Sequence, residues 1–476
     1  MNEARRDAWA LVVIVTGTLI AAVDTTIVVL ALPTMMRDLH ASLSGVVWVI
    51  MAYLLVITLV ATQVGRLGDM FGRVRMYEWG FVIFILGSLL CGLATTETAL
   101  IGFRVLQGLG GALVTANSGA VIADTFPAQR RGRAYGFTSV GWNLGAILGI
   151  LLGGFITTFF SWRYIFLINV PIGAFAVGVA WMVLRDRGER IPRALDWAGM
   201  ITLGGGLFAL LLAMVDLSAG PPDARIETLA VLGLAGLVAF ALFERRVPHP
   251  LLDFRLFQNR VVGASFLAAF FQSLGNFAVL FLVIMYLQGV RGLTPLDASL
   301  LLVPGYLVGG LLGPVSGRLA DRVGPVWPAT VGLAVQGLAI FLYAHLRPGT
   351  PLGWVVAASV VNGVGSAGFF PANNAAVMKG APPGAFGIAS GMLRTFANVG
   401  MVLSFATAIL VSSAAIPRRV AFAIFVGTTA LRGRLLYTFN HGIHAAFYLS
   451  IGLVLVAAGF SLWRGPVAEA EQKAAG

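Results

Sequence analysis

Predominantly apolar stretches, each long enough to cross a membrane as a helix, recur fourteen times along the 476 residues. A hydrocarbon core about 30 Å thick requires about 20 such residues per helix. The spacing predicts spans near 9–33, 46–65, 77–95, 98–123, 134–160, 163–184, 197–217, 226–243, 261–288, 295–317, 327–345, 352–377, 385–413 and 443–463. No stretch carries the alternation over repeated ten-residue segments that a transmembrane barrel requires. Composition agrees: 58% of residues are hydrophobic and 11% charged, with a mean hydropathy of +0.89, whereas soluble domains are about 25% charged. The expected fold class is an all-α integral membrane protein. The opening "MNEARRDAW" looks like a signal-peptide basic region. The apolar run behind it is too long for one and lacks a clear small-x-small cleavage site, so it reads as a retained first helix.

Counting Lys and Arg by loop predicts the orientation. With the amino terminus inside, the tails and inner loops collect 21 of the 32, the outer loops nine, and two lie within helices. Both termini are therefore expected in the cytoplasm. The outer loop 414–442, with Arg418, Arg419, Arg432 and Arg434, is the exception. A net charge of +12 spread over short inner loops points to anionic headgroups of the inner leaflet as partners, not to nucleic acid. A single cysteine, Cys91, excludes an intramolecular disulfide and a cysteine metal site, and the five histidines form no ligand cluster, so no metal is expected.

An internal repeat organises the chain. "GRLGDMFGRVRMY" from Gly65 returns as "GRLADRVGPVWPA" from Gly317 at an offset of 252. At an offset of 255, "QGLGG" at 107 matches "NGVGS" at 362, and "YGFTSVGWNLG" at 135 matches "SGMLRTFANVG" at 390. The expected organisation is a six-helix bundle at 1–187, an inserted helix pair with linkers at 188–256, a second six-helix bundle at 257–466 and a cytoplasmic tail at 467–476. Two parallel six-helix repeats are an arrangement associated with alternating-access transport.

These residues also carry a family resemblance. The chain resembles the major facilitator superfamily and, within it, the fourteen-helix drug:proton antiporters of multidrug efflux type. "GRLGDMFGRVRM" resembles the inner-loop signature and "LIGFRVLQGLGGA", with Arg104, Gln107 and Gly108, the fourth-helix signature. "VDTTIVVLALP" resembles the first-helix signature of the fourteen-helix group and "SWRYIFLINVPIG" its sixth-helix entry. The resemblance implies a major facilitator fold of two six-helix bundles plus two inserted helices, and export of lipophilic, often cationic, compounds from a cell (inner or plasma) membrane. It also places the fifth-helix antiporter signature where this chain has Gly145, Gly149, Gly153 and Gly154. Ala146 and Ile150 stand where that signature would have proline.

The physics of each motif can be stated separately. In the inner turn, Gly65, Gly68 and Gly72 permit tight backbone between antiparallel helices. Asp69 can meet a helix N-terminus or an arginine such as Arg73. With Asp321 and Arg322 in the repeat, these residues are a candidate conformational latch; a solvated turn with positive-inside arginines is the plainer reading. The fifth-helix glycines form a one-face stripe suited to close helix packing.

Nineteen of the twenty acidic residues map to loops, tails or helix ends; Asp24 alone lies well inside a span. A charged Asp near a helix centre costs about 2.5–3.5 kcal/mol on insertion scales, which favours protonation or a wet cavity. Desolvation disfavours the charged form of a carboxyl and a nearby cation favours it, so a site alternating between dry and wet exposure can load and release a proton. Arg104 and Arg394 are the intramembrane cations available as partners. Asp24 with Arg104 is the candidate proton-coupling pair, against a structural pair that never opens. The repeat-mate of Asp24 is Asn276, polar without charge.

The rest of the candidate cavity is apolar and aromatic with scattered amides: Tyr53, Gln63, Asn143, Gln272, Asn276, Asn373, Asn374 and Arg394, with Asn117, Gln336, Asn362 and Asn398 as further amides. Such a lining suits hydrophobic or amphipathic substrates better than sugars, although each amide can equally serve as a helix-to-helix hydrogen bond. "GVGSAG" at 363–368 sits within an apolar helix with no strand before it, and neither lysine follows a Walker-type loop. The expected function is proton-coupled antiport of lipophilic small molecules by alternating access, with the proton gradient as energy source, no cofactor and no enzymatic activity. The alternative is export of one metabolite, lipid or amino acid by antiport or uniport, and a more distant one is a sensor that has kept the fold.

Overall fold

The computed structural model describes residues 3–126, 128–186, 195–219, 222–247, 250, 252, 254–382, 386–414 and 434–465. Among these residues there is no strand, and thirteen helices are long and apolar enough to cross a membrane, or fourteen when the bent second helix counts as one span. The first six are α1 (Glu3–Asp38), α2 (Leu43–Phe71), α3 (Arg73–Gly92), α4 (Glu97–Thr125), α5 (Ala128–Phe159) and α6, which is broken at Ile168 into Tyr164–Leu167 and Asn169–Val183. Then come the pair α7 (Trp197–Ala219) and α8 (Ala224–Glu244). The last six are α9 (Arg260–Ile284, prolonged by a π turn over Met285–Val290), α10 (Pro295–Val323), α11 (Val326–Ala344), α12 (Leu352–Gly380), α13 (Phe386–Ala414) and α14 (Arg434–Trp463).

Local chemistry sets several of these boundaries. Ser42, Thr96, Asp223 and Asn259 each accept from backbone N–H groups in the first turn of the helix that follows, satisfying donors that have no intrahelical partner. Gly72 separates α2 from α3 with φ +108°, a conformation that strains any residue with a Cβ.

Two compact units emerge from the packing. The first is Met1–Trp197 with Thr294–Ser299, and the second Ala198–Leu293 with Leu300–Gly476. Within the first, α1 packs on α5 and α6, and α4 on α2 and α3; within the second, α9 packs on α13 and α14, and α11 on α12 and α14. The α7–α8 pair belongs to the second unit and closes on itself at Gly206 and Gly236, where a Cβ on Gly236 would stand 2.8 Å from the Gly206 Cα.

The repeat seen in the sequence returns as geometry. Gly324, 252 residues after Gly72, also has positive φ, +84°. Arg6 Nε donates to the Val183 carbonyl at 2.9 Å, tying the start of α1 to the end of α6; Arg260 Nε donates to the Trp463 carbonyl at 2.6 Å, tying α9 to α14 in the same way. Gly145 and its mate Gly400 both abut a neighbouring backbone, at the carbonyls of Leu19 and Phe270.

The fifth-helix glycines pack α5 directly on α1. A Cβ on Gly141, Gly145, Gly149 or Gly153 would meet the backbone of Val15, Leu19, Val23 or Ile27, every fourth residue of α1. Gly154 is off this stripe: its Cβ would meet Pro295 and Ser299 instead, because one residue further round the helix turns it by about 100°. Gly145→Ala would place its methyl 2.6 Å from the Leu19 carbonyl, a backbone atom that cannot rotate aside. The expected destabilisation is about 1–3 kcal/mol, read as a lower melting temperature in detergent, while Gly65→Ala, which lies inside α2 and not in the expected turn and has open space around the new Cβ, should leave it unchanged or slightly higher.

Candidate functional site

Asp24 is fully buried on α1 and sits in a closed ring of charged and amide groups. Arg104 of α4 donates from Nη1 to Asp24 Oδ2 at 2.7 Å and to Gln107 Oε1 at 2.6 Å. Gln107 Nε2 returns to Asp24 Oδ1 at 2.8 Å and also reaches Ser88 Oγ of α3 at 2.7 Å. Arg104 Nε donates to the Val49 carbonyl of α2 at 2.9 Å, and the guanidinium lies 4.1 Å from the centroid of the Tyr53 ring and 5.6 Å from that of Phe166. Arg104 and Gln107 share a helix face because they are three residues apart. The site therefore joins α1, α2, α3 and α4 through one guanidinium and one amide.

A buried ion pair of this kind survives because both Asp24 oxygens and Arg104 Nε and Nη1 are also hydrogen-bonded; its Coulomb attraction alone would barely offset desolvation. The expected partnership of Asp24 with Arg104 is present as a direct contact. Gln107 of the fourth-helix motif joins the pair as a third member of the site. Its signal is the three-residue spacing from Arg104, which puts an amide within reach of the same carboxylate. Ser88 carried no comparable signal, since a serine in an apolar helix is common.

At the inner turn, Arg73 bridges two acids. Its Nη2 lies 2.9 Å from Asp69 Oδ1 and its Nη1 2.9 Å from Asp124 Oδ1 at the end of α4. The N-terminus of α3 receives Asp186, from the segment after α6, whose Oδ1 accepts from Val74 N at 3.1 Å. A Cβ on Gly72 would collide with that same carboxylate, and on Gly68 with the Asn117 side chain. Gly72→Ala combines positive-φ strain, about 1–2 kcal/mol, with displacement of Asp186. It should lower thermal stability more than Gly65→Ala, measurable in detergent-solubilised protein.

In the repeat, Pro325 stands at the place of Arg73, Arg322 is exposed, and the Asp321 side chain lies outside the described residues. The bridging arginine of the first turn thus has no counterpart at the matching position of the second.

Several residues expected in the substrate cavity are engaged within their own bundle. The Tyr53 ring covers Arg104 and is 1% exposed. Gln63 pairs both ends of its amide with the Asp196 backbone, at 3.2 and 3.3 Å, anchoring the segment that enters α7. Asn373 accepts from Arg464 Nη1 at 3.1 Å and donates to the Ser265 carbonyl at 3.2 Å. Asn374 donates to Phe370 of its own helix, and Arg394 and Asn143 lie on exposed faces. Gln272 bonds Gln336, which bonds Ser366. For Gln272 and Asn373, helix-to-helix bonding is the role that the geometry supports, and for Gln63 it is holding the segment before α7. Asn276 differs, since its Oδ1 is buried without a partner among the described residues.

Arg464, just past α14, is a buried cation absent from the sequence expectations. It donates to the Ser461 carbonyl, Ser461 Oγ, Ser265 Oγ and Asn373 Oδ1, and burial among these neutral partners pushes its guanidinium down to about 10. It stays charged at neutral pH and ties the end of α14 to α9 and α12.

The Major Facilitator Superfamily model matches residues 14–405. The chain belongs to this superfamily. Among curated relatives of this facilitator, the tetracenomycin C resistance and export protein of Streptomyces glaucescens is 30% identical over 94% of this chain and 88% of that protein. The riboflavin transporter RibZ of Clostridioides difficile is 30% identical over 84% of this chain and 87% of its own. Multidrug resistance protein 3 of Bacillus subtilis is 30% identical over 81% and 76%. Among solved structures, a bacterial homolog of the human lysosomal transporter Spinster, inward-facing and unoccupied, superposes with a TM-score of 0.68 at 18% identity, covering 96% of this chain and 97% of that one. The facilitator is thus a multi-pass membrane transporter with the helix complement of the fourteen-helix members.

Proposed function

We propose that this facilitator exports lipophilic small molecules in exchange for protons by alternating access, with Asp24 as the proton-carrying group. The observation that carries the reading is the ring of Asp24, Arg104 and Gln107, a fully buried acid held by a cation that other groups can also hold. Protonation of Asp24 removes the charge from one side of the pair. Arg104 then keeps the Val49 carbonyl, Gln107 Oε1 and the Tyr53 ring, so the cation is not stranded when the acid lets go.

Coupling requires that the proton bind one conformation more tightly than the other. A hundredfold difference corresponds to about 2.7 kcal/mol. Separating a buried ion pair is worth about 3–5 kcal/mol, so a small movement of α1 against α4 suffices. The glycine contacts tie α1 to α5, which carries such a movement into the bundle. The Asp69–Arg73–Asp124 bridge is the proposed inner latch of the first unit. The energy source in this proposal is the proton gradient, with no cofactor. The protein resides in the cell membrane with both termini cytoplasmic, as the distribution of arginines favours.

Relatives named for tetracenomycin C export and for multidrug resistance support the substrate class. Reconstituted in liposomes with an imposed pH gradient, the protein should move a lipophilic cation against a counterflow of protons. Identical dye movement with and without the gradient would refute the coupling. The relative named as a riboflavin transporter favours a second reading, transport of one specific metabolite. A competition panel separates them: unrelated lipophilic dyes should displace one another, whereas a specific carrier would yield to a single chemical class.

A further inference from the structure

The Asp24–Gln107 pair of the first unit has repeat-mates in the second. Asp24 corresponds to Asn276 at an offset of 252, and Gln107 to Asn362 at 255. Both asparagines have a buried Oδ1 with no hydrogen-bond partner among the described residues. A buried acceptor left unsatisfied is unfavourable unless something else supplies the donor.

The register of α9 and α12 puts the two at the same level. Ser265 of α9 meets Asn373 of α12 through the 3.2 Å bond from Asn373 Nδ2. Asn276 lies 11 residues further along α9, and Asn362 lies 11 residues back along α12, which runs the opposite way. Eleven residues are about 16 Å and three turns to within about 20°, so both stand at one level and on the faces that already meet. An intermediate rung confirms the register: Gln272 and Ser366, each seven residues from the starting pair, are joined through Gln336 at 3.3 and 2.7 Å.

What the second unit lacks is the arginine. At the offset of 255 from Arg104 stands Ser359, whose hydroxyl donates to the Leu302 carbonyl at 2.9 Å and so turns to its own bundle. In the first unit a guanidinium N–H closes the ring against Asp24 and Gln107; in the second the two acceptors remain and the donor does not. Neither α9 nor α12 contains an acidic residue, so the pair selects for hydrogen-bond donors without demanding a positive charge.

The geometry points to a ligand subsite in the second unit at Asn276 and Asn362, which takes an amino or other N–H group of a lipophilic substrate in the place that Arg104 fills in the first. This rests on the proposed transport of lipophilic small molecules and specifies how that substrate is held. The two amide oxygens accept from the substrate, and the Gln272–Gln336–Ser366 chain forms the neighbouring polar layer that fixes the helix register.

Two lipophilic cations of like charge separate this subsite from general hydrophobic binding. Ethidium carries two aromatic amino groups, and tetraphenylphosphonium has no N–H at all. Binding of each to the purified full-length protein is measured in detergent, without a proton gradient, for the unsubstituted protein and for Asn276→Leu and Asn362→Leu. Each substitution should weaken ethidium binding about tenfold, the scale of one or two lost hydrogen bonds. Tetraphenylphosphonium binding should be unchanged, which also shows the variants folded. Equal losses for both cations, no loss for ethidium, or no ethidium binding by the unsubstituted protein would each overturn the subsite. Absence of pH-driven transport alongside selective loss of ethidium binding would remove the coupling reading and leave the subsite standing.

Discussion

Asp24→Asn should abolish pH-gradient-driven efflux while leaving folded protein in the membrane. Asparagine matches aspartate in size, and its single oxygen can keep accepting from Arg104, while its NH2 faces the Gln107 Nε2 donor, so the 2.7 Å contact can persist and the 2.8 Å contact is lost. It cannot exchange a proton between pH 5 and 9. Accumulation of a lipophilic cation by energised proteoliposomes should fall to the level of protein-free vesicles, whereas downhill exchange of the same compound should persist. The unpaired Arg104 sets a stability cost, moderated because its Val49, Gln107 and Tyr53 contacts remain. Transport must therefore be normalised to folded protein. Undiminished uphill movement in that variant would remove Asp24 from the coupling role.

The second large effect concerns the other half of the pair. Arg104→Ala leaves Asp24 buried without its cation and cuts the link from α4 to α2 at the Val49 carbonyl. Stranding a buried charge costs about 3–5 kcal/mol, a large fraction of a typical protein's net stability. The melting temperature in detergent should drop sharply. Adding Asp24→Asn should recover a substantial part of the loss, since the uncompensated charge goes with it. Such non-additivity, about 1–3 kcal/mol, is expected of residues in one network. Strictly additive losses would mean that the two side chains do not act as a pair. Arg104→Lys should fold better than Arg104→Ala without restoring full stability, because a single ammonium cannot reproduce the planar guanidinium's simultaneous contacts with Val49, Asp24 and Gln107.

The fold was largely legible because the membrane imposes simple rules. Apolar run length located the helices, and the offset of 252 that related Gly65 to Gly317 reappears as matched positive φ at Gly72 and Gly324. The glycine stripe of α5 announced a close helix neighbour, and a four-residue spacing facing the four-residue spacing of α1 is how it is realised. Asp24 stood out because a carboxylate inside a span is costly, and Arg104 and Arg394 were the intramembrane cations available as its partner.

Contacts across long sequence distance were not legible. Asp186 caps α3 from 112 residues away, and Arg464 reaches Ser265 across 199. Neither spacing has a period that a chain can display. Amides were the hardest class: Gln63, Gln272 and Asn373 have the same chemistry as Asn276, and only the count of hydrogen bonds around each separates bundle-holding amides from those with an open acceptor. A polar residue in a helix announces that it needs a partner, not whether the partner belongs to the protein.

Proton release on substrate binding tests the central claim most directly. In lightly buffered detergent solution, adding a lipophilic cation to the unsubstituted protein should release protons in proportion to the sites filled, because substrate and proton compete for one conformational cycle. The Asp24→Asn protein should bind the compound and release none. Binding without release by the unsubstituted protein, or equal release from both, would contradict the assignment of Asp24 as the carrier of the exchanged proton.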